Sequence, residues 1–387
     1  MCLWSDDGAH LAVASGSGVV LWRMGDELSL RPIGEAAAVD VLAFEGPLLW
    51  SAGGRELRCH ELSTAATLRR VAVTGTTVAL SPAARIWIAR RGAAIEIGDI
   101  DGRREASMFH RPDVRAARYE PDDWEEWNEE AYAVRCAAVA PDGRRVVIGY
   151  TDGACWMLEL PDLAPRELQA PNERAVTVVA WSPHSDVVLV AGDGRFALHG
   201  GREWRPRPHA ARATALFEHV TAAAFSPRGS ELAIASEDWA EDGVVEDLEF
   251  IRVDAIEARA HRQSLQIRDI RVRRHIPSAC AAAHHPAGRV LALCRSAGGV
   301  SLWDVERRDY LGTLQARTDR AAGLLAHEPR TVGEHGRIEL VGDPQRLAAL
   351  GGDVYGVWTA ACTISSGRGA LADALARGLT GASARRP

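Results

Sequence analysis

The sequence predicts an all-β propeller assembled from four-stranded repeat units. Three observations predict this fold class: a pattern of apolar runs and turns that recurs along the chain, a regular distance between its copies, and strand-type composition inside each copy. The chain has 387 residues, of which 47% are hydrophobic and 25% charged. This composition is typical of a globular protein and provides enough apolar residues for a core.

Each copy of the pattern consists of a short apolar run, a turn of the Ser-Pro-Asp-Gly type, a second apolar run, a Gly-rich turn and a third run. Eight copies can be counted, and their first turns are marked by Asp6, Gly46, Pro82, Pro141, Pro183, Pro227, Pro286 and Pro329. The intervals between these markers are 40, 36, 59, 42, 44, 59 and 43 residues. Five intervals lie close to the ~40–45 residues of a four-stranded propeller blade, so we expect seven or eight blades.

The apolar runs have the chemistry of buried strands. They are rich in Val, Ile, Leu, Ala and Trp, and Gly, Pro, Asp and Ser separate them. The runs are almost continuously apolar, as expected for strands that are covered on both faces by neighbouring blades. Small residues at 137–138, 222–224 and 281–283 suit the crowded axis of a propeller. The alternative of two separate β-sandwich domains fits the regular spacing less well.

The third-strand endings Leu21-Trp22-Arg23 and Leu302-Trp303-Asp304, together with the Ser-Pro-type turns, resemble the tryptophan–aspartate (WD) repeat β-propellers. The resemblance covers residues 1 to about 358, so we predict a propeller over 1–360. Trp303-Asp304 is the full dipeptide, and His219 is the candidate for the loop histidine of that family. The resemblance implies a rigid disc of radial blades that serves as a scaffold for protein–protein interaction.

The charged residues exclude several function classes. No lysine occurs in the chain, so all 45 basic residues are arginine. This excludes a Walker-type phosphate loop, a Schiff-base lysine and a Ser-Lys dyad, and with the abundant Ala and Gly it suggests a GC-rich bacterial genome. The 45 basic and 52 acidic residues give a net charge of −7, which disfavours direct nucleic-acid binding.

The seven cysteines are scattered and are never spaced as C-x-x-C. They are interpreted as small buried strand residues in a reducing compartment, with neither a disulfide framework nor a zinc site. No signal peptide opens the chain, and no apolar run has the length needed to span a membrane. We therefore expect a cytoplasmic protein with no membrane contact.

The two intervals of 59 residues predict inserted loops at about 110–132 and 237–263. The first insert follows a predicted fourth strand and precedes a predicted first strand. The second insert is predicted to follow a second strand at 232–236 and to precede a third strand at 264–269. Because the turns of an antiparallel meander alternate between two faces, both inserts are expected on the same face of the propeller.

Both inserts are strongly acidic and contain tryptophan. Segments 120–130 and 237–249 hold seven carboxylates each, which together outweigh the whole net charge of −7. Since aromatic residues often anchor interfaces, we predict a binding surface for a basic protein or peptide. The predicted partner-binding residues are Asp122, Asp123, Trp124, Glu125, Glu126, Trp127, Glu129, Glu130, Trp239, Glu241, Asp242, Glu246, Asp247 and Glu249.

The alternative for these inserts is a solvated surface with no partner. The tryptophans would then pack on the propeller, and the acids would face water or pair with nearby Arg115, Arg118, Arg252 and Arg259. The twelve residues from Asp238 also resemble a calcium loop, with carboxylates at positions 1, 5, 9 and 12. Ala240 occupies position 3, where an oxygen ligand is expected, so no metal site is predicted.

The segment 365–387 departs from the repeat pattern. Ser365-Ser366-Gly367 is typical of a linker, and Leu371, Leu375 and Leu379 recur every four residues. This spacing predicts a short amphipathic helix. The helix could dock on the propeller or bind a partner, and a disordered tail is the remaining alternative.

The sequence shows no catalytic or cofactor-binding constellation. The segment SGSG at 15–18 is a strand-connecting turn, and His284-His285 stands where a blade has its first turn. We therefore predict a non-enzymatic scaffold or regulatory subunit of a bacterial multi-protein complex, without cofactor or metal. The alternatives are a propeller hydrolase or lyase with a site in the axial channel, and a sensor that binds a peptide there. A site assembled from several blades leaves no local motif.

Overall fold

The structure is a computed structural model that describes most of residues 1–317 together with Gly356–Val357. The segments outside the described residues are 16–17, 25–28, 34–37, 104, 113–131, 170–173, 185, 193–194, 201–203, 207–218, 241–242, 254–271, 274–278, 296–298, 308, 315, 318–355 and 358–387. The eighth copy of the repeat, around Pro329, and the predicted linker and helix at 365–387 fall within these segments.

Seven four-stranded antiparallel sheets form the blades of a propeller ring. Blade 1 contains β1 (Cys2–Trp4), β2 (His10–Ser15), β3 (Gly18–Arg23) and β4 (Ser29–Ile33); blade 2 contains β5 (Val41–Glu45), β6 (Leu48–Gly53), β7 (Glu56–Glu61) and β8 (Thr67–Ala72); blade 3 contains β9 (Thr76–Ser81), β10 (Ile86–Arg91), β11 (Ala94–Asp99) and β12 (Ser107–Phe109).

The other four blades follow in the same order along the chain. Blade 4 contains β13 (Val134–Val139), β14 (Arg145–Tyr150), β15 (Cys155–Glu159) and β16 (Ala164–Leu168); blade 5 contains β17 (Val176–Trp181), β18 (Val187–Gly192), β19 (Arg195–Gly200) and β20 (Arg205–Pro206); blade 6 contains β21 (His219–Phe225), β22 (Glu231–Ala240), β23 (Gly243–Arg252) and β24 (Val272–Arg273); blade 7 contains β25 (Ala279–His284), β26 (Val290–Arg295), β27 (Val300–Asp304) and β28 (Asp309–Leu314). A separate pair joins β29 (Ala316–Arg317) to β30 (Gly356–Val357).

The first strand of each blade lies at the axis and contacts the first strands of its two neighbours. The strand β25 of blade 7 contacts β1 of blade 1, which closes the ring. The predicted all-β propeller is therefore confirmed, and of the two blade counts that the sequence allowed the ring has seven. The four strands of each blade follow one another along the chain, so within the described sequence no blade takes a strand from a distant segment.

The apolar core lies between the blades. Buried side chains of the described residues form seven clusters, and each cluster joins two adjacent blades. Trp22 lies in the cluster between blades 1 and 7, and Trp303 lies in the cluster between blades 6 and 7. Fully burying one large apolar side chain contributes about 1.5–3 kcal/mol. The apolar runs in the sequence are continuous because neighbouring blades cover both faces of each inner strand.

The predicted position of the second insert is partly wrong. The sequence placed a third strand at 264–269, but the third strand of blade 6 is β23, at Gly243–Arg252. The acidic residues 237–249 therefore belong to a long hairpin whose pairing continues from Glu231↔Arg252 out to Ala240↔Gly243. The β-branched residues Val244 and Val245 are typical of a strand and favour this extension. The segment 264–269 itself lies outside the described residues.

Two hydrogen bonds hold the seam between blade 1 and blade 7. The indole Nε1 of Trp4 donates to the carbonyl of Ala283 at 3.2 Å. The ring of His285 accepts at Nδ1 from the amide of Ala287 at 3.1 Å, so its Nε2 donates to the carbonyl of Gly8 at 3.2 Å. Burial lowers the pKa of His285 and keeps this ring neutral. His285 thus occupies the turn of blade 7, as the sequence predicted, and it also packs edge-on against Trp4.

We expect Gly8→Ala to destabilise the seam much more than an equivalent change elsewhere. Gly8 has a φ of +70°, and an alanine Cβ there would lie 2.2 Å from Nε2 of His285. Backbone strain and overpacking together should lower the free energy of unfolding by about 3 kcal/mol in urea denaturation. Gly102→Ala is the matched control, because its φ of +66° is similar and no atom lies within 4 Å of the added Cβ. The control should cost only about 1 kcal/mol, and equal losses would contradict the role assigned to the His285 contact.

Candidate binding site on the mouth face

An axial cavity of about 510 Å³ opens at the end of the ring where the first strands begin. We call this end the mouth face; it carries the turns between second and third strands and the links from each fourth strand to the next blade. The opposite end, called the turn face, carries the other two turns of each blade. All seven first strands, or the residues immediately before them, line the cavity. The alanines predicted for the crowded axis are among the lining residues at 137, 222–223 and 281–282.

The first strands of five blades carry a β-bulge at the cavity. In blade 4, Val134 pairs with Tyr150 and Cys136 pairs with Gly149, so Arg135 is left without a partner residue in the ladder. The same one-residue shift occurs in blades 3, 5, 6 and 7, and the bulged residues are Val78, Arg135, Thr177, Thr221 and Cys280. All five line the cavity. Because a bulge redirects a side chain and ends regular pairing, these positions can vary without disturbing the blade cores.

The lining combines charge, hydroxyl groups and thiols. Asp40, Arg90 and Arg135 are its charged residues, and all three are exposed. Arg90 donates to the carbonyl of Val134 at 3.2 Å, which ties blade 3 to blade 4. The hydroxyl of Thr177 donates to the carbonyl of Val220 at 2.7 Å and ties blade 5 to blade 6. The mouth is therefore rigid and polar, with positive charge concentrated beside blades 3 and 4.

Arg111 anchors both ends of the first insert to blade 4. Its guanidinium makes a bidentate ion pair with Asp152, with N–O distances of 2.9 Å, and its side chain is only 2% exposed. The same guanidinium lies 4.5 Å from the ring centre of Tyr150 and 5.9 Å from that of Tyr132. Arg111 precedes the segment 113–131 and Tyr132 follows it. Their contact therefore brings the residues that flank this segment together. Cation–π contacts and bidentate pairing both favour arginine here.

The first insert leaves the ring at the mouth face. Phe109, in the last strand of blade 3, pairs with Ile95 near the start of β11. Ile95 also pairs with Arg90 at the end of β10, and Arg90 pairs with Thr76, the first residue of β9. Phe109 therefore lies at the same end of the blade as the start of its first strand. The chain then returns to start β13 at Val134. Eight of the predicted partner-binding residues lie in this insert but outside the described residues: Asp122, Asp123, Trp124, Glu125, Glu126, Trp127, Glu129 and Glu130.

The paired strands β22 and β23 also extend beyond the start of β21 at the mouth face. Glu237 pairs with His219, the first residue of β21, and the hairpin continues three residue pairs further. Trp239 lies opposite Val244 in this extension, and Glu246 lies opposite Glu237. Asp247 pairs with Ser236, while Glu241 and Asp242 lie outside the described residues.

Glu249 does not belong to an exposed acidic surface. It pairs with Ile234 inside blade 6, and only 4% of it is exposed. The sequence count treated 237–249 as one acidic loop, and it missed that the strand continues into the blade. Of the twelve residues from Asp238, those at 238–240 and 243–249 lie in two paired strands instead of wrapping as a ligand loop. Within the described residues, no group of three or more His, Cys, Asp or Glu side chains is arranged to hold a metal ion.

A serine–histidine pair in blade 2 is placed for structure. The Oγ of Ser51 lies 2.9 Å from Nε2 of His60, and the Oγ1 of Thr67 lies 3.1 Å from Nδ1. Ser51 and His60 are 2% and 1% exposed, and neither lines the axial cavity. A nucleophile needs access to its substrate. This pair therefore satisfies the hydrogen bonding of a buried imidazole and offers no reaction site.

The WD dipeptide of blade 7 stabilises the strand and its turn. Trp303 is 1% exposed, and its Nε1 donates to Oγ of Ser301 at 3.2 Å. Asp304 accepts hydrogen bonds at Oδ1 from the amides of Glu306 and Arg307, at 3.0 and 2.8 Å. The carboxylate thus holds the β27–β28 turn. His219, proposed as the loop histidine, is the half-buried first residue of β21.

Sequence reasoning missed the bulged lining and the Arg111 anchor. A signal for the bulges exists: Arg135, Thr177, Thr221 and Cys280 each interrupt an otherwise apolar first strand near its start. The Arg111–Asp152 pair spans 41 positions and two blades, so it has no local signal. Its partner only becomes apparent when the β14–β15 turn is placed beside the end of β12.

No protein-family model matches the chain, and no curated protein matches it. The chain is similar to a solved chain of the mitotic checkpoint complex, with a TM-score of 0.57 and 16% identity, covering 79% of this chain and 89% of that chain. It is also similar to the β-propeller domain of Cps50 (Swd1) from Myceliophteria thermophila, with a TM-score of 0.56 and 15% identity, covering 79% and 96%. These similarities show a β-propeller fold. No helix among the described residues is long and apolar enough to cross a membrane.

Removing Asp152 alone should cost more stability than removing the whole ion pair. Asp152→Ala leaves the nearly buried guanidinium of Arg111 without its counterion, which should lower the free energy of unfolding by about 3 kcal/mol. The double variant Arg111→Met with Asp152→Ala also removes the buried charge, so it should recover part of this loss. Urea denaturation measures the free energy of unfolding of both variants and shows which of them is less stable. A double variant that is less stable than Asp152→Ala would show that the contacts of Arg111 with the tyrosine rings dominate.

Stability should fall in acid because His60 is held neutral. Burial, with the nearby charges of Arg58 and Arg70, lowers the pKa of His60 from 6.5 to about 4. The unfolded chain binds this proton first as the pH falls, so the free energy of unfolding should drop between pH 6.5 and pH 4, by about 3 kcal/mol from this residue. His60→Gln should flatten the pH dependence measured by urea denaturation across that range. An unchanged pH dependence in the variant would contradict the assignment to His60.

Proposed function

We propose that the protein is a non-enzymatic interaction scaffold or regulatory subunit of a bacterial multi-protein complex, related to the WD-repeat propellers and located in the cytoplasm. One feature supports the proposal: the strands that flank the two acidic, tryptophan-bearing segments end at the mouth face. The first segment follows Phe109 in β12, and the second joins the paired strands β22 and β23. A similar solved chain belongs to a multi-protein complex, which is the setting proposed for this protein.

The rigidity of the ring supports this role. Seven interblade clusters hold the first strands in place, so a loop can be displayed without distorting its support. Arg111 fixes the base of the first segment, and ten residue pairs between β22 and β23 support the second. Pre-arranging a surface in this way lowers the entropy lost on binding.

The proposed partner is a basic protein or peptide that bridges the two segments. Segments 120–130 and 237–249 together hold fourteen carboxylates. Burial is described for two of them: Glu237 is half-buried and Glu249 is buried. Negative charge of this density steers a basic partner and raises the association rate. Trp124, Trp127 and Trp239 are the proposed anchors, since a desolvated aromatic anchor often contributes about 2 kcal/mol or more.

Neutralising the acids should slow partner association without unfolding the ring. The variant changes Asp122, Asp123, Glu125 and Glu126 to Asn or Gln, because charges on a loop contribute little to blade stability. Partners captured from the native host by wild-type protein are identified, and the association rate of the main partner is then measured at low and high salt. We expect a slower rate in the variant and a smaller dependence on salt.

The matched control neutralises acids on the turn face. Asp6→Asn with Glu306→Gln removes two exposed turn carboxylates at the opposite end of the ring. This control should bind like the wild-type protein. Trp239→Ala should mainly raise the dissociation rate, since an anchor contributes to the bound state. If the turn-face control weakens binding as much as the mouth-face variant, the proposed surface is wrong.

The axial cavity favours a second candidate function, recognition of a peptide at the channel mouth. The exposed arginines Arg90 and Arg135 would then bind a carboxylate, and the bulged residues would set selectivity. Arg135→Ala separates the two candidates, because it leaves both acidic segments intact. Loss of binding in this variant alone would favour the channel, and unchanged binding would favour the acidic segments.

A further inference from the structure

Three cysteines from two blades meet at the seam beside the axial cavity. Cys2 begins β1 in blade 1, while Cys280 and Cys294 lie in β25 and β26 of blade 7. The thiol of Cys280 donates to the carbonyl oxygen of Cys294 at 3.5 Å, and the thiol of Cys2 donates to the carbonyl oxygens of Ala281 and Ala292 on the same two strands. The sequence gives no sign of this cluster, because its members are separated by 14 and 278 positions.

The three thiols differ sharply in access. Cys2 and Cys280 both line the cavity, but Cys2 is only 2% exposed and Cys294 only 5%, whereas Cys280 is exposed. The exposure of Cys280 follows from its bulge: Ala279 pairs with Arg295 and Ala281 pairs with Cys294, so the residue between them turns towards the channel. A small reagent in the channel therefore reaches one thiol of the cluster first.

Cys280 and Cys294 are placed to form a disulfide. They lie on paired strands, with Cys280 adjacent to the direct partner of Cys294, and the Sγ of Cys280 is 3.5 Å from the carbonyl oxygen of Cys294. Neighbouring residues on paired strands lie within the Cα separation that a disulfide spans. Cys2 contacts the same strands from blade 1, with its Sγ 3.9 Å from the carbonyl oxygen of Ala281 and 3.8 Å from that of Ala292.

The hydrogen bonds distribute charge within the cluster. Donation from Cys2, then from Cys280, lowers the pKa of Cys294, and the same bonds raise the pKa of the two donors. By contrast, burial raises the pKa of Cys136, the third channel cysteine, to about 12. A thiolate is the reactive form in disulfide exchange.

We propose that this cluster is a thiol modification site, at which a low-molecular-weight disulfide oxidises Cys280 and Cys294 to an intramolecular disulfide. The Cys294 thiolate accepts the thiol proton of Cys280, and the Cys280 thiolate attacks the reagent, whose S–S bond breaks. A mixed disulfide forms on Cys280, and the first half of the reagent leaves as a thiolate that takes the proton from Cys294. The Cys294 thiolate then attacks the mixed disulfide at the sulfur of Cys280, and the second half of the reagent leaves as a thiolate that is protonated by water. One disulfide of the reagent is reduced to two thiols, and the two protein sulfurs are oxidised to one disulfide.

The experiment treats the folded full-length chain with oxidised glutathione. It uses a Cys362→Ser background, because Cys362 lies outside the described residues. Trypsin cleaves after Arg289, between the two cysteines, so the peptides 275–289 and 290–295 are joined only by the proposed disulfide. We expect a protein mass lower by two hydrogens and these two peptides linked under non-reducing conditions.

Three variants separate the steps. Cys294→Ser should stop at one glutathione on Cys280, and Cys280→Ser should lower the yield of any disulfide at least about tenfold, because the exposed thiol is gone. Cys136→Ser is the matched control, since it removes a channel cysteine whose thiol does not bond Cys294, and it should react like the parent. Circular dichroism of each variant checks folding, and the peptide map of the parent decides the proposal even if a variant does not fold.

The outcomes that overturn the proposal are equally specific. A glutathione adduct that persists on Cys280 in the parent would show that Cys294 does not complete the exchange. A disulfide that contains Cys2 in place of Cys280 would show that channel access does not select the reacting thiol. An unmodified protein under conditions that oxidise a model dithiol would exclude the site altogether.

Discussion

Closure of the ring between blade 1 and blade 7 is the constraint on which the rest of the structure depends. A blade has apolar residues on both faces, so an open ring would leave two of these faces in water. The seam buries Trp4, Trp22 and Leu302 in a single cluster and adds the hydrogen bonds of Trp4 and His285. Once the seam is closed, every first strand has two neighbours, and the axial cavity and its polar mouth follow from that arrangement.

The meander of each blade determines where charge and chemistry can be displayed. Links between blades and turns between second and third strands emerge at the mouth face, which is also where five bulges redirect side chains into the channel. Arg111 and the long β22–β23 hairpin add rigid bases for acidic chain on this face. The turn face carries tight turns such as the one held by Asp304. The residues proposed for function therefore lie in links and turns, where the sequence can vary, whereas the apolar packing between the blades stabilises the ring.

Much of the fold could be predicted because it depends on period and local composition. The spacing of the turns predicted the blades, and His285 could be assigned to a turn from its place in the repeat. The extension of β23 could not be predicted from the sequence, because acidic residues disfavour strands locally. The pairing of β23 with β22 overrides that preference. The burial of Glu249 was missed for the same reason. Contacts such as Arg111–Asp152 and the cluster around Cys294 join distant segments, and a single sequence shows no period that links them.

The contiguity of each blade has a consequence for how the protein is made. Since the four strands of a blade follow one another in the chain, a sheet can form as soon as its residues leave the ribosome, without waiting for a strand from the other terminus. Among the blades that the structure describes, the seam joins the first and the last along the chain, so blade 1 must keep one apolar face unpaired until blade 7 is synthesised. During that interval the nascent chain carries an exposed sheet face that a chaperone or another copy could bind. The last step of assembly is then the docking of two finished blades, and its speed depends on how long the first one remains open.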